Sequence, residues 1–177
     1  MVNIQNAEAD RVTQITAGET AKVDPALELL HERPGFLVRR LQQIYYAIFY
    51  EECKTQNVTP VQYGVLTIVA LHPDLDQTSL GQAIALDRTT TTDVIKRLEQ
   101  RGWLERHSSP TDRRTRHVRL TQEGRVIVDS LQDNIDRLQE RFLEPLRPAE
   151  RAMLMQFMRT LVEANAQYSR AVARSSF

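Results

Sequence analysis

Two clusters of side chains near the middle of the chain have the chemistry needed to contact a nucleic acid. The first contains four consecutive threonines, 89–92, flanked by arginine, aspartate and lysine residues. Threonine methyl groups can contact thymine methyls, and threonine hydroxyls can reach base edges or phosphates. Because branching at Cβ makes threonine a poor helix former, four in a row at a helix N-terminus favour a role in binding. A solvated helix end is the alternative interpretation.

Helical spacing separates an inner and an outer side of this cluster. Thr91, Ile95 and Leu98 recur on the side that would face a core. The other positions give the candidate DNA-contacting residues, which are Arg88, Thr89, Thr90, Thr92, Asp93, Lys96 and Arg97. Asp93 could accept a hydrogen bond from cytosine or pair with Arg97 within the chain.

The second cluster is an arginine-rich turn between two short alternating segments. Arg113 and Arg114 lie in the polar stretch 108–115, and Arg116 follows it. Arginines at the tip of such a turn could enter a DNA minor groove, where the negative potential favours them. Asp112 is better suited to orient an arginine than to contact DNA. The alternative is a solvated turn.

Basic charge is concentrated around these two clusters. The whole chain has 23 basic and 23 acidic residues, whereas the segment 96–119 has eight basic and three acidic residues, a local net charge of +5. A localised basic patch on an otherwise neutral chain indicates a nucleic-acid footprint.

Local patterns predict the elements that hold the clusters. Asp87 is a good N-cap for a helix that Gly102 would end. Two short strands, 103–107 and 116–120, alternate well enough to pair on either side of the arginine turn. The prediction is a helix followed by a hairpin.

A second short helix is predicted just before this one. A turn at 74–76 is followed by Thr78 or Ser79, either of which could cap a helix that runs through Ala85. Two short helices joined by a turn of two or three residues have helix-turn-helix spacing. With the hairpin they outline a winged helix that could grip DNA.

Long helices with apolar stripes flank this region. One begins at Pro34, another follows the Thr59 cap, and a last one follows Pro148. Between the hairpin and the last helix, one apolar stripe is formed by Ile127, Leu131, Ile135, Leu138 and Phe142. A lobe of this size cannot bury both terminal stripes, so we expect them to cross the equivalent helices of a second copy in a two-fold homodimer.

The expected organisation has three regions. A flexible N-terminal arm covers 1–32, a helical dimerisation region covers 33–58 and 122–177, and a winged helix-turn-helix DNA-binding domain covers 59–121.

Composition and motifs exclude several other classes. The chain is 41% hydrophobic, enough for a core, but no apolar run approaches the roughly 20 residues that span a membrane. Without a signal-peptide pattern we expect a cytoplasmic protein. The single cysteine and four histidines show no disulfide or metal-ligand spacing, so we expect no metal. No glycine-rich phosphate loop, nucleophile elbow or HExxH motif occurs, so we expect neither an enzyme nor a cofactor.

Residues 36–162 resemble the MarR family of bacterial winged-helix regulators. The most specific match is the wing sequence 112–114 running into 118–124, preceded by the segment 97–106. The family's second helix is matched by Thr59, Gln62 and Leu66.

The resemblance implies a fold that is mainly α with a small β-hairpin wing and that dimerises through its N- and C-terminal helices. It implies a repressor that binds a pseudo-palindromic operator in double-stranded DNA and is released by a small-molecule effector. Segments 33–40 and 47–52 look like the first helix of repressors of nicotinate and related aromatic-acid catabolism, which implies a small aromatic acid. Asp93 departs from the pattern, because the family commonly has a basic residue there.

A candidate effector site follows from the same resemblance, since members of the family bind small aromatic acids between the dimer helices and the winged lobe. Such a ligand needs an aromatic wall and a cation. The candidate residues are Arg39, Arg40, Tyr45, Tyr46, Tyr63 and His72. Tyr45 and Tyr63 could instead be core residues, and the two arginines could be solvated or form dimer salt bridges.

Two alternative functions stay open. Some members of the family sense peroxide through one cysteine, but Cys53 lies near the end of the first helix beside Glu51 and Glu52, whose charge disfavours the thiolate. An inert, half-buried thiol is the plainer interpretation. A helical module that binds a protein instead of DNA is the other alternative, although it would not need the arginine wing.

Overall fold

The computed structural model of the chain describes residues 29–108 and 116–168. The chain divides into two compact units, Met1–Arg40 and Leu41–Phe177. Its helices and strands follow in the order α1 (Pro34–Glu52), α2 (Pro60–Leu71), β1 (Leu75–Asp76), α3 (Gln77–Ala83), α4 (Arg88–Gln100), β2 (Leu104–Ser108), β3 (Arg116–Leu120), α5 (Gln122–Leu143) and α6 (Pro148–Ala164). The predicted class, mainly α with a small β wing, is confirmed. No helix in the described ranges is long and apolar enough to cross a membrane.

Parts of the predicted regions lie outside the described residues. These parts are 1–28 of the N-terminal arm, the wing tip 109–115 and the C-terminal residues 169–177. The division into arm, dimerisation region and DNA-binding domain stays a prediction.

Side-chain caps set where two of the helices begin. At α2, Thr59 Oγ1 accepts the Gln62 N–H at 3.2 Å, and Gln62 Oε1 accepts the Thr59 N–H at 3.1 Å. At α5, Thr121 Oγ1 accepts the Gly124 N–H at 3.0 Å. Each cap satisfies a backbone donor that the first helical turn leaves unpaired.

The start of α3 and the turn before it differ from the prediction. Asp76, rather than Thr78 or Ser79, is the N-cap, and its Oδ1 accepts the N–H of both residues at 2.9 and 3.1 Å. Leu75 and Asp76 also form a short strand, β1, where a turn was expected. A strand of two residues has no alternation for a sequence pattern to detect, and it exists here because β3 offers it an edge.

The strands form one antiparallel sheet in the order β1-β3-β2. Leu75 of β1 pairs with Val118, and Leu104 of β2 pairs with Leu120. Val118, Leu104 and Leu120 are buried, so one face of the sheet joins the core. The predicted hairpin is confirmed, with β2 starting one residue later than expected.

One hydrophobic core holds the helices of the second unit against this sheet. Its largest fully buried side chains include Phe49, Leu66, Leu80, Ile95, Leu98, Val118, Leu131 and Leu138. Helix α5 starts in direct contact with the chain before β2, because a Cβ at Gly124 would collide with the carbonyl oxygen of Trp103. This close approach fixes the start of the β2–β3 hairpin relative to α5.

Helix α6 buries none of its side chains. Its exposed large apolar residues are Met153, Met155, Phe157, Met158, Leu161 and Val162. In the same unit, Leu41 and Ile44 of α1 are also exposed. Exposed apolar side chains in such number are typical of a surface that binds a partner.

Candidate nucleic-acid interface

The N-terminus of α4 is fixed by Asp87. Its Oδ1 accepts the backbone N–H of Thr90 at 2.8 Å, and its Oδ2 accepts the Thr90 hydroxyl at 2.5 Å. These hydrogen bonds hold the pKa of Asp87 below its usual range, and the bond from the Thr90 hydroxyl has the largest effect. At the other end the chain turns away through Gly102, whose φ is +72°. The predicted cap and helix end are confirmed.

Three of the four threonine hydroxyls on α4 are already hydrogen-bonded within the protein. The Thr90 hydroxyl donates to Asp87, while the Thr91 and Thr92 hydroxyls donate to the backbone carbonyls four residues earlier, at 2.7 and 2.8 Å. Thr89 is exposed, and its hydroxyl has no hydrogen-bond partner among the described residues. The four threonines are therefore not equivalent as DNA-contacting groups.

The outer side of α4 is polar and carries both signs of charge. Of the predicted DNA-contacting residues on it, Arg88, Thr89, Asp93, Lys96 and Arg97 are exposed, and the half-buried Thr90 and Thr92 lie at its edge. In the part of the chain that the structure describes, no ion pair joins Asp93 to a basic side chain. Contact of these seven residues with DNA stays a prediction.

Helices α3 and α4 pack closely at a small residue. A Cβ at Gly81 would lie 2.7 Å from Thr91 Oγ1 and 3.3 Å from the backbone oxygen of Leu86. Gln77 Nε2 also donates to Thr92 Oγ1 at 2.5 Å. The two helices form a helix-turn-helix in which α4 is the second, recognition helix.

Several basic residues of the 96–119 segment are paired within the protein. Arg106 Nη2 lies 2.8 Å from Glu99 Oε2, which links β2 to α4. Arg119 Nε lies 2.7 Å from Glu105 Oε1, which links the two hairpin strands. The positive charge available to a ligand is therefore smaller than the sequence count.

Arg101 has a structural role that sequence reasoning missed. Its guanidinium carbon lies 3.6 Å from the centroid of the Trp103 ring. Nη1 donates to the backbone oxygen of Asn57 at 2.7 Å, and Nη2 donates to that of Gln56 at 3.1 Å. These contacts join the end of α4 to the segment between α1 and α2.

The wing divides into a described stem and a tip outside the described residues. Arg113 and Arg114 belong to the tip, so their predicted minor-groove contact stays a prediction. Arg116 begins β3, is exposed, and donates from Nη1 to Ser108 Oγ at 3.0 Å. Since this partner is neutral, the charge of Arg116 is not offset by it.

Two histidines and an aspartate hold the base of the wing. His107 and His117 pair across β2 and β3, and their stacked rings have centroids 5.7 Å apart. His107 Nε2 lies 3.0 Å from Asp74 Oδ1, and His117 Nδ1 is hydrogen-bonded to the Asp74 backbone oxygen. The sequence offered only the strand register as a signal for this cluster.

Within 29–108 and 116–168, no group of three or more His, Cys, Asp or Glu side chains is arranged to hold a metal ion.

Two of the candidate effector residues, Tyr45 and Tyr63, are half-buried against the core. The Tyr45 ring meets Phe142 edge-on at 5.3 Å, and its hydroxyl accepts from Gln139 Nε2 at 3.4 Å. The Tyr63 ring lies 6.1 Å from that of Phe49. Burial raises the pKa of Tyr45. Both residues therefore have a packing role, whether or not they also touch a ligand.

The other candidate effector residues are half-buried or exposed. Tyr46 is half-buried and His72 exposed in the second unit. In the first unit, Arg39 and Arg40 are exposed, and the Arg40 guanidinium lies 6.0 Å from the centroid of the Phe36 ring. The set stays a prediction.

Cys53 is more buried than the sequence suggested. Only 1% of the residue is exposed, and burial, followed by the charge of Glu52, raises the pKa of the thiol. A raised pKa keeps the thiol protonated near neutral pH, where it is a poor nucleophile. The surroundings favour a structural role over peroxide sensing.

Known proteins similar to this chain are transcriptional regulators. A model of the MarR family matches residues 58–115. The protein described as the transcriptional regulatory protein for the hcr operon of Thauera aromatica is 32% identical over 155 residues, covering 85% of this chain and 93% of that protein.

Solved structures extend the likeness to the fold. The PcaV regulator from Streptomyces coelicolor, in complex with its natural ligand, matches at 36% identity and a TM-score of 0.70, covering 76% of this chain and 95% of that one. BpsR of Bordetella bronchiseptica, whose DNA binding is regulated by 6-hydroxynicotinic acid, matches at 30% identity and a TM-score of 0.71, covering 74% and 94%. With the recognition helix and wing stem in place, the chain belongs to the MarR family of winged helix-turn-helix transcriptional regulators.

Proposed function

We propose that the chain is a repressor that binds a pseudo-palindromic operator as a homodimer and is released by a small aromatic acid. The observation that carries this proposal is the exposed polar side of α4, held at its N-terminus by Asp87 and packed beside the wing stem. A helix fits the major groove of B-DNA. One recognition helix in each of two copies would read two half-sites one helical turn apart.

Affinity would come mainly from phosphate contacts. Lys96, Arg97 and Arg116 are exposed and have no carboxylate partner among the described residues. The wing-tip residues Arg113 and Arg114 add two further positive charges per copy. Neutralising phosphates releases condensed counterions, so binding to any duplex should weaken steeply as salt rises.

Dimerisation would cover the apolar side of α6 with a second copy of the chain. Phe157, Leu161 and Val162 are 58%, 63% and 71% exposed, and α6 has no buried residue. Removing such side chains from water is favourable, and an isologous two-fold contact buries the same face of both copies. The resulting pair would present two copies of α4, which a pseudo-palindromic operator requires.

Release by an aromatic acid is supported by the relatives. PcaV has a natural ligand and BpsR responds to 6-hydroxynicotinic acid. In this chain the aromatic candidates are Tyr45, Tyr46 and Tyr63, and the cationic or polar candidates are Arg39, Arg40 and His72. Effector binding would change the distance between the two recognition helices, so that it no longer matches the spacing of the two half-sites. This change would weaken operator binding without blocking the DNA face.

A gel-shift experiment on the full chain tests the proposal in two steps. Genomic fragments at moderate salt should yield a specific retarded complex. A panel of benzoic and nicotinic acids and their hydroxylated forms should then release it, while the matching carboxamides, which lack the negative charge, should not. No retarded fragment would contradict DNA binding and favour a protein-interaction module. A complex that no acid releases would contradict the effector.

A further inference from the structure

Asp93 occupies the middle of the outer side of α4 and has no hydrogen-bond or ion-pair partner among residues 29–108 and 116–168. Helical periodicity places it between Thr89, one turn earlier, and Lys96 and Arg97, one turn later. Asp93 is exposed, and its carboxylate forms no ion pair with Lys96 or Arg97. The carboxylate is therefore available to a ligand.

Asp93 is the one carboxylate among the exposed residues on this side of α4. The hydroxyls of Thr90 and Thr91 are donated to Asp87 and that of Thr92 to the backbone of Arg88, whereas the Thr89 hydroxyl has no partner in the part of the chain that the structure describes. Lys96 is a donor only, whereas the carboxylate of Asp93 is an acceptor only. Asp93 thus imposes a requirement that its neighbours do not share.

A carboxylate in a major groove needs a donor from the DNA. Guanine presents only acceptors there, thymine presents an acceptor and a methyl group, and adenine places its N7 acceptor beside its N6 donor. Cytosine presents its N4 amino group without an acceptor on the same base. Cytosine is therefore the base whose groove edge matches a carboxylate.

We infer that Asp93 determines operator specificity by accepting a hydrogen bond from the N4 amino group of one cytosine in each half-site. The inference rests on the proposed DNA-binding function. Lys96 and Arg97 offset the repulsion between this carboxylate and the phosphates that line the groove. An acidic residue on a recognition helix then serves discrimination between sequences, while the basic residues around it supply affinity.

Selection from a randomised duplex DNA library with the full chain tests the inference. The unsubstituted protein should enrich a site with cytosine at one fixed position in each half. Asp93→Asn keeps the shape of the side chain but presents a donor and an acceptor, which match adenine N6 and N7. The sites that this variant selects should have adenine in place of that cytosine and the same bases at the other positions. Asp129→Asn, which removes an exposed carboxylate from α5, is the matched control and should select the original site.

Titrations of the selected site and of its adenine-substituted form then measure the preference. The unsubstituted protein should bind the substituted site about 5- to 150-fold more weakly. Asp93→Asn should reverse the order, and Asp93→Ala should bind both forms with similar affinity.

The outcomes separate this inference from the proposed function. If the unsubstituted protein enriches no sequence, DNA-sequence recognition itself is contradicted. If it enriches a site and Asp93→Asn enriches the same bases at every position, the role of Asp93 is wrong and the repressor function stands. A selected site without a fixed cytosine in each half contradicts the inference in the same way.

Discussion

Thr89 and Thr90 are adjacent on α4, but their hydroxyls do different things. The Thr90 hydroxyl is donated to the Asp87 carboxylate, whereas Thr89 is exposed and its hydroxyl has no partner among the described residues. Helical periodicity in the sequence places both outward, and only the geometry of the cap distinguishes them. The residue with the uncommitted hydroxyl is the better candidate for a base or phosphate contact.

Replacing Thr89 with valine keeps the shape of the side chain and removes its hydroxyl. We expect affinity for the selected operator to fall by about 1 to 3 kcal/mol, with a much smaller loss on random DNA. Fluorescence anisotropy titrations with both duplexes measure the difference. Thr91→Val is the control, because its hydroxyl is buried and donates to a backbone carbonyl, so its loss should change stability instead of discrimination. Equal losses of Thr89→Val on both duplexes would argue against base reading.

Asp87 should make stability depend on pH on the acid side. Its pKa is lower in the folded chain than the roughly 3.9 of an unfolded aspartate, so its stabilisation is fully present above that value and is lost as pH falls through the folded pKa. Asp87→Asn keeps an acceptor but does not titrate. Thermal melts between pH 7 and pH 2 should show a steeper loss below about pH 4 for the unsubstituted protein than for the variant. Parallel curves would contradict this role.

Among the elements, α5 and the chain before β2 approach each other closely at Gly124. A methyl group there would meet the Trp103 backbone, which cannot move away as a flexible side chain can. Gly124→Ala should lower the free energy of unfolding by at least about 1 to 3 kcal/mol, measured by urea denaturation. Gly35→Ala is the matched control, because nothing lies within 4 Å of a Cβ at that position. A variant at Gly124 as stable as the control would contradict the close packing.

The wing is the element whose charge should set the salt dependence of binding. Arg113→Ala combined with Arg114→Ala should weaken binding to all duplexes and reduce the slope of log K against log salt by about 0.9 for each phosphate that the wing no longer neutralises. Arg119→Ala should change the slope less, because Glu105 already pairs with that arginine. Titrations from low to moderate salt measure both slopes. An unchanged slope in the double variant would rule out phosphate binding by the wing tip.

Elements defined by local chemistry could be predicted from the sequence, while contacts across the fold could not. The Asp87 cap, the turn at Gly102 and the hairpin depend on neighbouring residues and on strand alternation. The hydrogen bond from Arg101 to Asn57 depends on a residue 44 positions away, which no local pattern reports. The sequence therefore placed Arg101 in a basic patch, although the folded chain uses it to hold a loop.

For the whole molecule, the proposed dimer makes DNA binding depend on α6. Phe157→Glu combined with Leu161→Glu places charge on the exposed apolar face and should give a folded monomer that no longer binds the operator tightly. Sedimentation velocity measures the mass, and circular dichroism checks that the helices persist. Val126→Glu, at an exposed apolar position on α5, should stay dimeric. A double variant that remains a dimer would place the interface elsewhere.

The uncovered apolar side of α6 also links the protein's concentration to its stability. If a second copy covers that face, folding and association are coupled by mass action, and the melting temperature rises with protein concentration. Below the dissociation constant of the dimer, the amount of dimer rises with the square of the monomer concentration. Operator occupancy would then respond to the copy number of the regulator more steeply than a one-to-one complex does, before any effector is bound.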